Sequence, residues 1–171
     1  ALFRTRQQNT AEAVDFVDGR TISRGVDARS EGIEIEVGGR IAEGLQATGG
    51  YTLMRIEDET GAAARLFVPR NTARLNLSYS PPALPQLKLG ASGQYQSRIF
   101  TPARTVKQGG YALLDLLARY ELTPNVAASV NVRNVTDAKY LTALNFDGGY
   151  YGAPRTVLGT ISVRFGPGTG F

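Results

Sequence analysis

The chain has no cysteine and no histidine in its 171 residues. Without cysteine it forms no disulfide and no thiolate metal site, and the compartment stays open, because cysteine-free chains suit cytosol and cell envelope alike. Without histidine it lacks His-based catalytic triads and most zinc or iron sites. Tryptophan is missing too, so the aromatic surface is Tyr and Phe only. No run of 18 or more apolar residues occurs. That excludes a transmembrane helix but not transmembrane strands, whose alternation escapes hydropathy windows. Basic residues are scattered singly, although 19 Lys and Arg against 15 Asp and Glu give a net charge of +4. With no basic cluster, nucleic acid is not an expected partner. No charged n-region followed by an apolar h-region opens the chain, so we expect no signal peptide and read a mature product or a piece of something longer.

What is present is a rhythm. Hydrophobic residues make up 42% and charged residues 20%, a composition that argues against disorder, and the length fits one domain. Residues 2–9 read as a strand and residues 10–29 as a long polar link. In residues 31–41, Ile33, Ile35 and Val37 alternate with Glu34 and Glu36. A glutamate at every second place is tolerable only if that face meets water. After a turn at Ala42-Glu43-Gly44, Leu45, Ala47, Gly49, Tyr51 and Leu53 alternate with Gln46, Thr48, Gly50 and Thr52. A long link over 59–69 precedes Ala73, Leu75, Leu77 and Tyr79, which alternate with Arg74, Asn76 and Ser78. The Pro-rich turn at 81–85 cannot lie inside a central strand. Then Leu87, Leu89, Ala91, Gly93 and Tyr95 alternate with Lys88, Ser92, Gln94 and Gln96.

Residues 110–122 (GYALLDLLARYEL) carry two patterns. Leu113, Leu114, Leu116, Leu117 and Tyr120 fit a helix, whereas Ala112, Leu114, Leu116, Ala118 and Tyr120 fit one face of a strand. The Gly-Gly start and the tight turn at Thr123-Pro124-Asn125 favour the strand. Val126, Ala128, Val130 and Val132 then alternate with Ala127, Ser129, Asn131 and Arg133. A long link over 134–154 leads to the closing run, in which Val157, Gly159, Ile161, Val163 and Phe165 alternate with mostly polar residues.

The connections therefore run long, short, long, short, medium, short, long. Tight turns at one rim and long loops at the other are the pattern of an outer-membrane antiparallel β-barrel, with about eight strands of about 9–13 residues. On this reading the apolar rows meet lipid, and Glu34, Glu36, Arg74, Asn76, Lys88, Gln94, Gln96, Asp115, Asn131 and Arg133 meet a wet or plugged lumen. Two alternatives use the same alternation. One is a self-contained eight-stranded outer-membrane barrel, structural or adhesive. The other is a soluble β-sandwich or lipocalin-like binder, turned apolar-side in.

The stretch NVRNVTDAKY at 131–140, then YYGAPR at 150–155, then a strand ending VRF, resembles the C-terminus of TonB-dependent outer-membrane receptors of the ferric-siderophore class. SEGIEIEVGGRIAEGLQATGGYTL (30–53), PRNTARLNLSY (69–79), GQYQSRIF (93–100) and GGYALLDLLARYEL (109–122) resemble that family in the same order. The resemblance implies that residues 1–165 are the C-terminal part of a 22-stranded transmembrane barrel of a Gram-negative outer membrane, followed by a tail at 166–171. An N-terminal plug domain and a TonB-binding segment, which the family carries, are not in this sequence. It further implies a ferric siderophore as transported ligand, energy from the TonB complex, outer-membrane lipid as surroundings, and no intrinsic cofactor. Phe165 matches the aromatic that barrel-assembly machinery reads in this family, although six residues follow it here.

Catalysis finds no support, since no nucleophile elbow, zinc motif or phosphate loop is present. No metal-ligand spacing exists, so iron is expected to arrive already chelated. Arg98, Phe100, Phe146, Tyr150 and Tyr151 lie at the expected loops and are the ligand-binding candidates: rings offer contact area and the cation offers charge to an anionic chelate. An interfacial aromatic girdle explains Tyr140, Tyr150 and Tyr151 equally well. Asn134, Thr136 and Asp137 are expected to cap a turn by side-chain to backbone bonds.

Overall fold

The computed structural model describes residues 1–144 and 148–165. Twelve strands follow one another: β1 (Leu2–Val17), β2 (Arg20–Ala42), β3 (Leu45–Asp58), β4 (Asn71–Tyr79), β5 (Leu87–Gln96), β6 (Ile99–Phe100), β7 (Lys107–Gln108), β8 (Tyr111–Thr123), β9 (Val126–Arg133), β10 (Leu141–Leu144), β11 (Gly149–Tyr151) and β12 (Thr156–Val163). Eight of them form one antiparallel sheet in the order β1-β2-β3-β4-β5-β8-β9-β12. The two remaining pairs, β6–β7 and β10–β11, are small hairpins inside two of the long connections. The sheet is an open wall, with β1 and β12 at its two edges.

Residues directly opposed in adjacent strands share a face, so the register tests the alternation strand by strand. Ile35 faces Tyr51, Tyr51 faces Ala73, Ala73 faces Tyr95, and Tyr95 faces Ala112. Nearer the opposite rim, Leu45, Tyr79, Leu89, Ala118, Val130 and Gly159 form a second continuous row. Every apolar row expected from the sequence thus falls on a single face. Tyr51 and Tyr95 lie toward the rim of long connections, and Tyr79 and Tyr120 toward the rim of short turns. The other face carries Glu36, Gly50, Arg74 and Gln94 in one row, and Thr48, Asn76, Ser92 and Asp115 in another.

Little of this apolar surface is covered by the protein itself. Among the described residues six hydrophobic side chains are buried, whereas Val37, Leu75, Val157 and Ile161 are exposed on the apolar face at 71%, 49%, 65% and 74%. The buried groups Ile56, Ile99, Thr101, Leu113, Asn134 and Leu144 gather toward the rim of long connections. The short turns are tight. Gly44, at φ +71°, accepts a bond from Ser80 N (2.8 Å), and a Cβ there would run into the Ser80 carbonyl.

The structure departs from the sequence reading in three places. Residues 10–29 are no link: β1 and β2 continue as a paired ribbon to a two-residue turn at Asp18-Gly19, with φ of 49° and 76°. Positive φ at both positions is the hairpin geometry that an Asp-Gly pair favours. Pairing of β2 with β3 stops at Ala28–Asp58, so this hairpin projects roughly 26 Å beyond the sheet. The segment at 110–122 is the strand β8, as the sequence context favours, and its helix-like spacing has a physical cause: Leu113 and Leu117 sit on the otherwise polar face. Leu113 is buried at the rim, and Leu117 packs over Gly90, where an added Cβ would come within 3.3 Å of the leucine side chain. The lengths of the eight strands in the large sheet spread beyond the expected 9–13 residues, from 8 in β9 and β12 to 23 in β2. The closing run ends at Val163, which leaves Phe165 past the strand and 94% exposed. The tail at 166–171 lies outside the described residues.

Candidate functional site

The three long connections, β3–β4, β5–β8 and β9–β12, share one rim with the projecting β1–β2 hairpin, and two of them carry the candidate residues. In the β5–β8 connection the chain reverses through β6 and β7 around Thr101, which is fully buried. Thr101 N donates to Val106 O (3.0 Å), and Thr101 Oγ1 accepts from Val106 N (3.0 Å). Arg104, in the left-handed region at φ 58°, donates its N–H to Thr101 O (2.9 Å). That turn places the Arg104 guanidinium 5.6 Å from the centre of the Phe100 ring, in cation–π range. Arg98 is exposed one residue beyond Ser97, whose Oγ accepts from both Arg70 N and Asn71 N at 3.0 Å. Phe100 N donates to Leu66 O (3.0 Å), which joins this hairpin to the β3–β4 connection. Arg70 holds the latter together by donating to the Ile56 carbonyl (3.3 Å) and the Ala64 carbonyl, and burial lowers its pKa from the ordinary arginine value.

The second cluster is the β10–β11 hairpin. Tyr150 and Tyr151 are 66% and 80% exposed. They are neighbours in β11, so their side chains point to opposite faces of the hairpin. A single chelate pressed on one face of the hairpin meets one of them. Phe146 lies between β10 and β11, outside the described residues. The two hairpins are tied by Leu141 N, which donates to Gln108 Oε1 (2.7 Å). Tyr140 stacks on Tyr111, with ring centres 4.5 Å apart and planes tilted by 34°. Gly152 makes room for that stack: its N–H donates to Tyr140 O (2.8 Å), and a Cβ there would overlap the Tyr140 ring.

Asn134 anchors the second hairpin to the wall. It is 3% exposed with φ 48°, and its N–H donates to Asp115 Oδ1 (2.8 Å). Its Nδ2 donates to Ala138 O (2.9 Å) and Ala153 O (3.1 Å), while its Oδ1 accepts from Ala138 N (2.9 Å). Asp137 Oδ1 accepts from Arg155 N (2.8 Å). The turn-capping role read for Asn134 and Asp137 is thus present in the structure, and Asp115 serves it from the wall. Sequence reasoning missed Arg104, Gln108, Tyr111 and Arg70. Only Tyr111, beside a Gly-Gly pair at a strand start, carried any signal: Gln108 acts across 33 residues, and Arg104 and Arg70 act through the folding of their own connections, which follows no period. Among the described residues no group of three or more acidic side chains is arranged to hold a metal ion.

Comparison with known proteins fits this architecture. The family described as "TonB dependent receptor-like, beta-barrel" matches residues 1–135. The Ferric-pyoverdine BN7/BN8 receptor of Pseudomonas putida is 32% identical over 166 residues, covering 96% of this chain and 20% of the relative. The Ferrichrome outer membrane transporter/phage receptor of Escherichia coli K12 is 32% identical over 155 residues, covering 82% of this chain and 20% of the relative. The solved pyoverdine outer membrane receptor FpvA of Pseudomonas aeruginosa PAO1, bound to pyoverdine, superposes with a TM-score of 0.81 at 29% identity, covering 96% of this chain and 26% of that one. The chain spans about a fifth of the length of the curated relatives it matches. It belongs to the TonB-dependent receptors, and its strands are part of the β-barrel by which those proteins sit in the outer membrane of Gram-negative bacteria.

Proposed function

We propose that this chain is the C-terminal portion of a 22-stranded receptor barrel that takes up ferric siderophores across the outer membrane, driven by the TonB complex. The observation that carries the reading is the joint match to siderophore receptors over nearly the whole chain, in sequence and in fold. The apolar face meets lipid, the polar face meets a lumen filled by a plug domain, and the rim of long connections faces outward. No bond is made or broken: cargo is bound and moved, and iron arrives inside its chelator. Arg98 and Arg104 offer charge to an anionic chelate, and Phe100, Phe146 and one of Tyr150 and Tyr151 offer ring contacts. Phe165 is the aromatic read by the barrel-assembly machinery, and its exposure past the strand suits a recognition signal.

The test is uptake of radiolabelled iron into cells that lack their own siderophore receptors and express the receptor carrying this chain. Ferric pyoverdine, ferrioxamine B and ferrichrome are supplied separately. TonB-dependent uptake of at least one is expected, and the double variant Arg98→Ala, Arg104→Ala should weaken it about tenfold or more. Absence of uptake from all three, with the receptor correctly inserted, overturns the reading.

A further inference from the structure

The apolar face is not evenly filled. On the half nearer the short turns, two of its rows read Leu77, Ala91, Leu116, Val132 and Tyr79, Leu89, Ala118, Val130 across β4, β5, β8 and β9. Ala91 and Ala118 are diagonal neighbours in this register, roughly 7–8 Å apart. Two small side chains therefore adjoin among larger ones. Leu77, Tyr79 and Leu89 stand on one side of them, and Leu116, Val130 and Val132 on the other. The result is a recess of about 560 Å³ in the surface of the apolar face. It reaches down to Gly90 and Leu117, which belong to the opposite face, so its floor is backbone.

A recess in a lipid-facing wall fills for a different reason than one in water. Lipid tails are as apolar as leucine, so the hydrophobic effect gives a chain no reason to prefer this wall to its neighbours in the bilayer. Packing supplies the preference. Atoms that line a gap have no partners on one side and forfeit their dispersion contacts. An acyl chain on a flat stretch is touched from one side, whereas a chain seated over Ala91 and Ala118 is touched from the floor and both flanks. The recess also has a polar end. Tyr79 closes β4 at the rim of short turns, and its hydroxyl has no hydrogen-bond partner among the described residues. Every other lining side chain is apolar.

We propose that this recess holds one acyl chain of a glycerophospholipid from the leaflet at the short turns, retained after the surrounding lipid has exchanged. The Tyr79 hydroxyl donates to an ester or phosphate oxygen of the same molecule. The inference rests on the proposed facing of the wall, with the apolar rows in hydrocarbon. The occupant follows from the place: the recess is continuous with the surface that meets lipid, and its polar end lies where head groups begin.

The experiment uses the receptor carrying this chain, reconstituted in nanodiscs of phosphatidylethanolamine and then transferred to lipid-free detergent. Bound phospholipid is counted by native mass spectrometry at increasing times. We expect one phosphatidylethanolamine to leave more slowly than the rest. The fraction of receptor that carries it should fall roughly tenfold in A91L/A118L, where two larger side chains fill the recess. Tyr79→Phe leaves the seat for the chain and should shorten retention about two- to tenfold. Ala73→Leu, on the same face between Tyr51 and Tyr95, lies outside the recess and should leave the count unchanged. Equal retention by the unaltered receptor and A91L/A118L overturns the site, and so does an equal loss in Ala73→Leu. A dimer of the unaltered receptor that A91L/A118L dissociates would make a second copy the occupant, which also overturns it. The facing is read separately, from a nitroxide attached at Leu75→Cys. Relaxation by oxygen supports it. Relaxation by a water-soluble nickel complex would mean that the facing itself is inverted, and the site falls with it. Heat-modifiability in electrophoresis confirms that each variant is folded.

Discussion

Arginine placed at residue 75 should be far more damaging than arginine placed at residue 76. Leu75 is the fifth of nine residues in β4, about 13 Å along the strand from either end, so it lies close to the centre of the apolar band. Its cross-strand neighbours are Gly49 and Gly93, which have no side chains to collide with a longer one. The cost of Leu75→Arg is therefore the transfer of a guanidinium into hydrocarbon rather than a clash, about 2–4 kcal/mol at the midplane of such a barrel. That is roughly a 30- to 700-fold change in the folded-to-unfolded ratio. Asn76 is one residue away at the same depth but on the polar face, beside the native Arg74 and opposite Ser92 and Thr48. Asn76→Arg should cost less than about 1 kcal/mol. The assay is guanidinium unfolding of the reconstituted receptor, followed by tyrosine fluorescence and heat-modifiability. Comparable losses at both positions, or a larger loss at 76, would refute the assignment of lipid to the apolar face. Depth is tested by Val163→Arg: Val163 closes β12 at the rim of short turns, so the same substitution should cost only about 0–1 kcal/mol there.

Three further perturbations probe the rim. Asn134→Ala removes three side-chain bonds and leaves Ala138 N, Ala138 O and Ala153 O to find other partners. A loss of about 2–4 kcal/mol is expected, read as faster proteolysis within 134–155, and Asn134→Gly should lose nearly as much although it tolerates the positive φ. Gly152→Ala should cost about 1–3 kcal/mol by pushing Tyr140 off Tyr111, and the cost should shrink when Tyr140→Ala is already present; an unchanged cost would show that the stack is not what the glycine accommodates. Gly19→Val should add about 1–2 kcal/mol of strain at φ 76°, speeding hydrogen exchange in the projecting hairpin while leaving β3 unchanged.

The eight wall strands were legible because a wall with unlike surroundings on its two sides writes itself into the sequence at period two. Ile33 to Ile41 on β2 shows the effect, and so does its end: beyond Ile33 the face turns to Glu31, Arg29 and Asp27, and the pattern disappears although the strand continues to Arg20. Past the apolar band both sides of the hairpin are free to be polar, so only Asp18-Gly19 marked it, through turn chemistry rather than periodicity. The ambiguity at β8 has the same origin. Leu113 is apolar on the polar face and buried there, which no period along one strand can report. The rim was least legible of all. Arg104 reaches Phe100 through a left-handed turn, and Gln108 reaches Leu141 across 33 residues, so neither role follows from spacing.

The same physics says what this wall requires. Each sheet edge presents backbone N–H and C=O groups that have no ladder partner, and in hydrocarbon every such group costs several kcal/mol. Here β1 and β12 are both edges, and the register does not join them to each other. The six hydrophobic side chains buried among the described residues cannot offset that deficit, nor the ordering of so long a chain. On the proposed facing, lipid is the solvent of the exposed apolar rows, and other strands of the barrel complete the open edges. Stability in this wall comes from ladder bonds made in a medium without water, so breaking one edge should unravel neighbouring strands in order. β1–β2 and β9–β12 are therefore the pairs whose amide exchange should slow most when the missing wall is supplied.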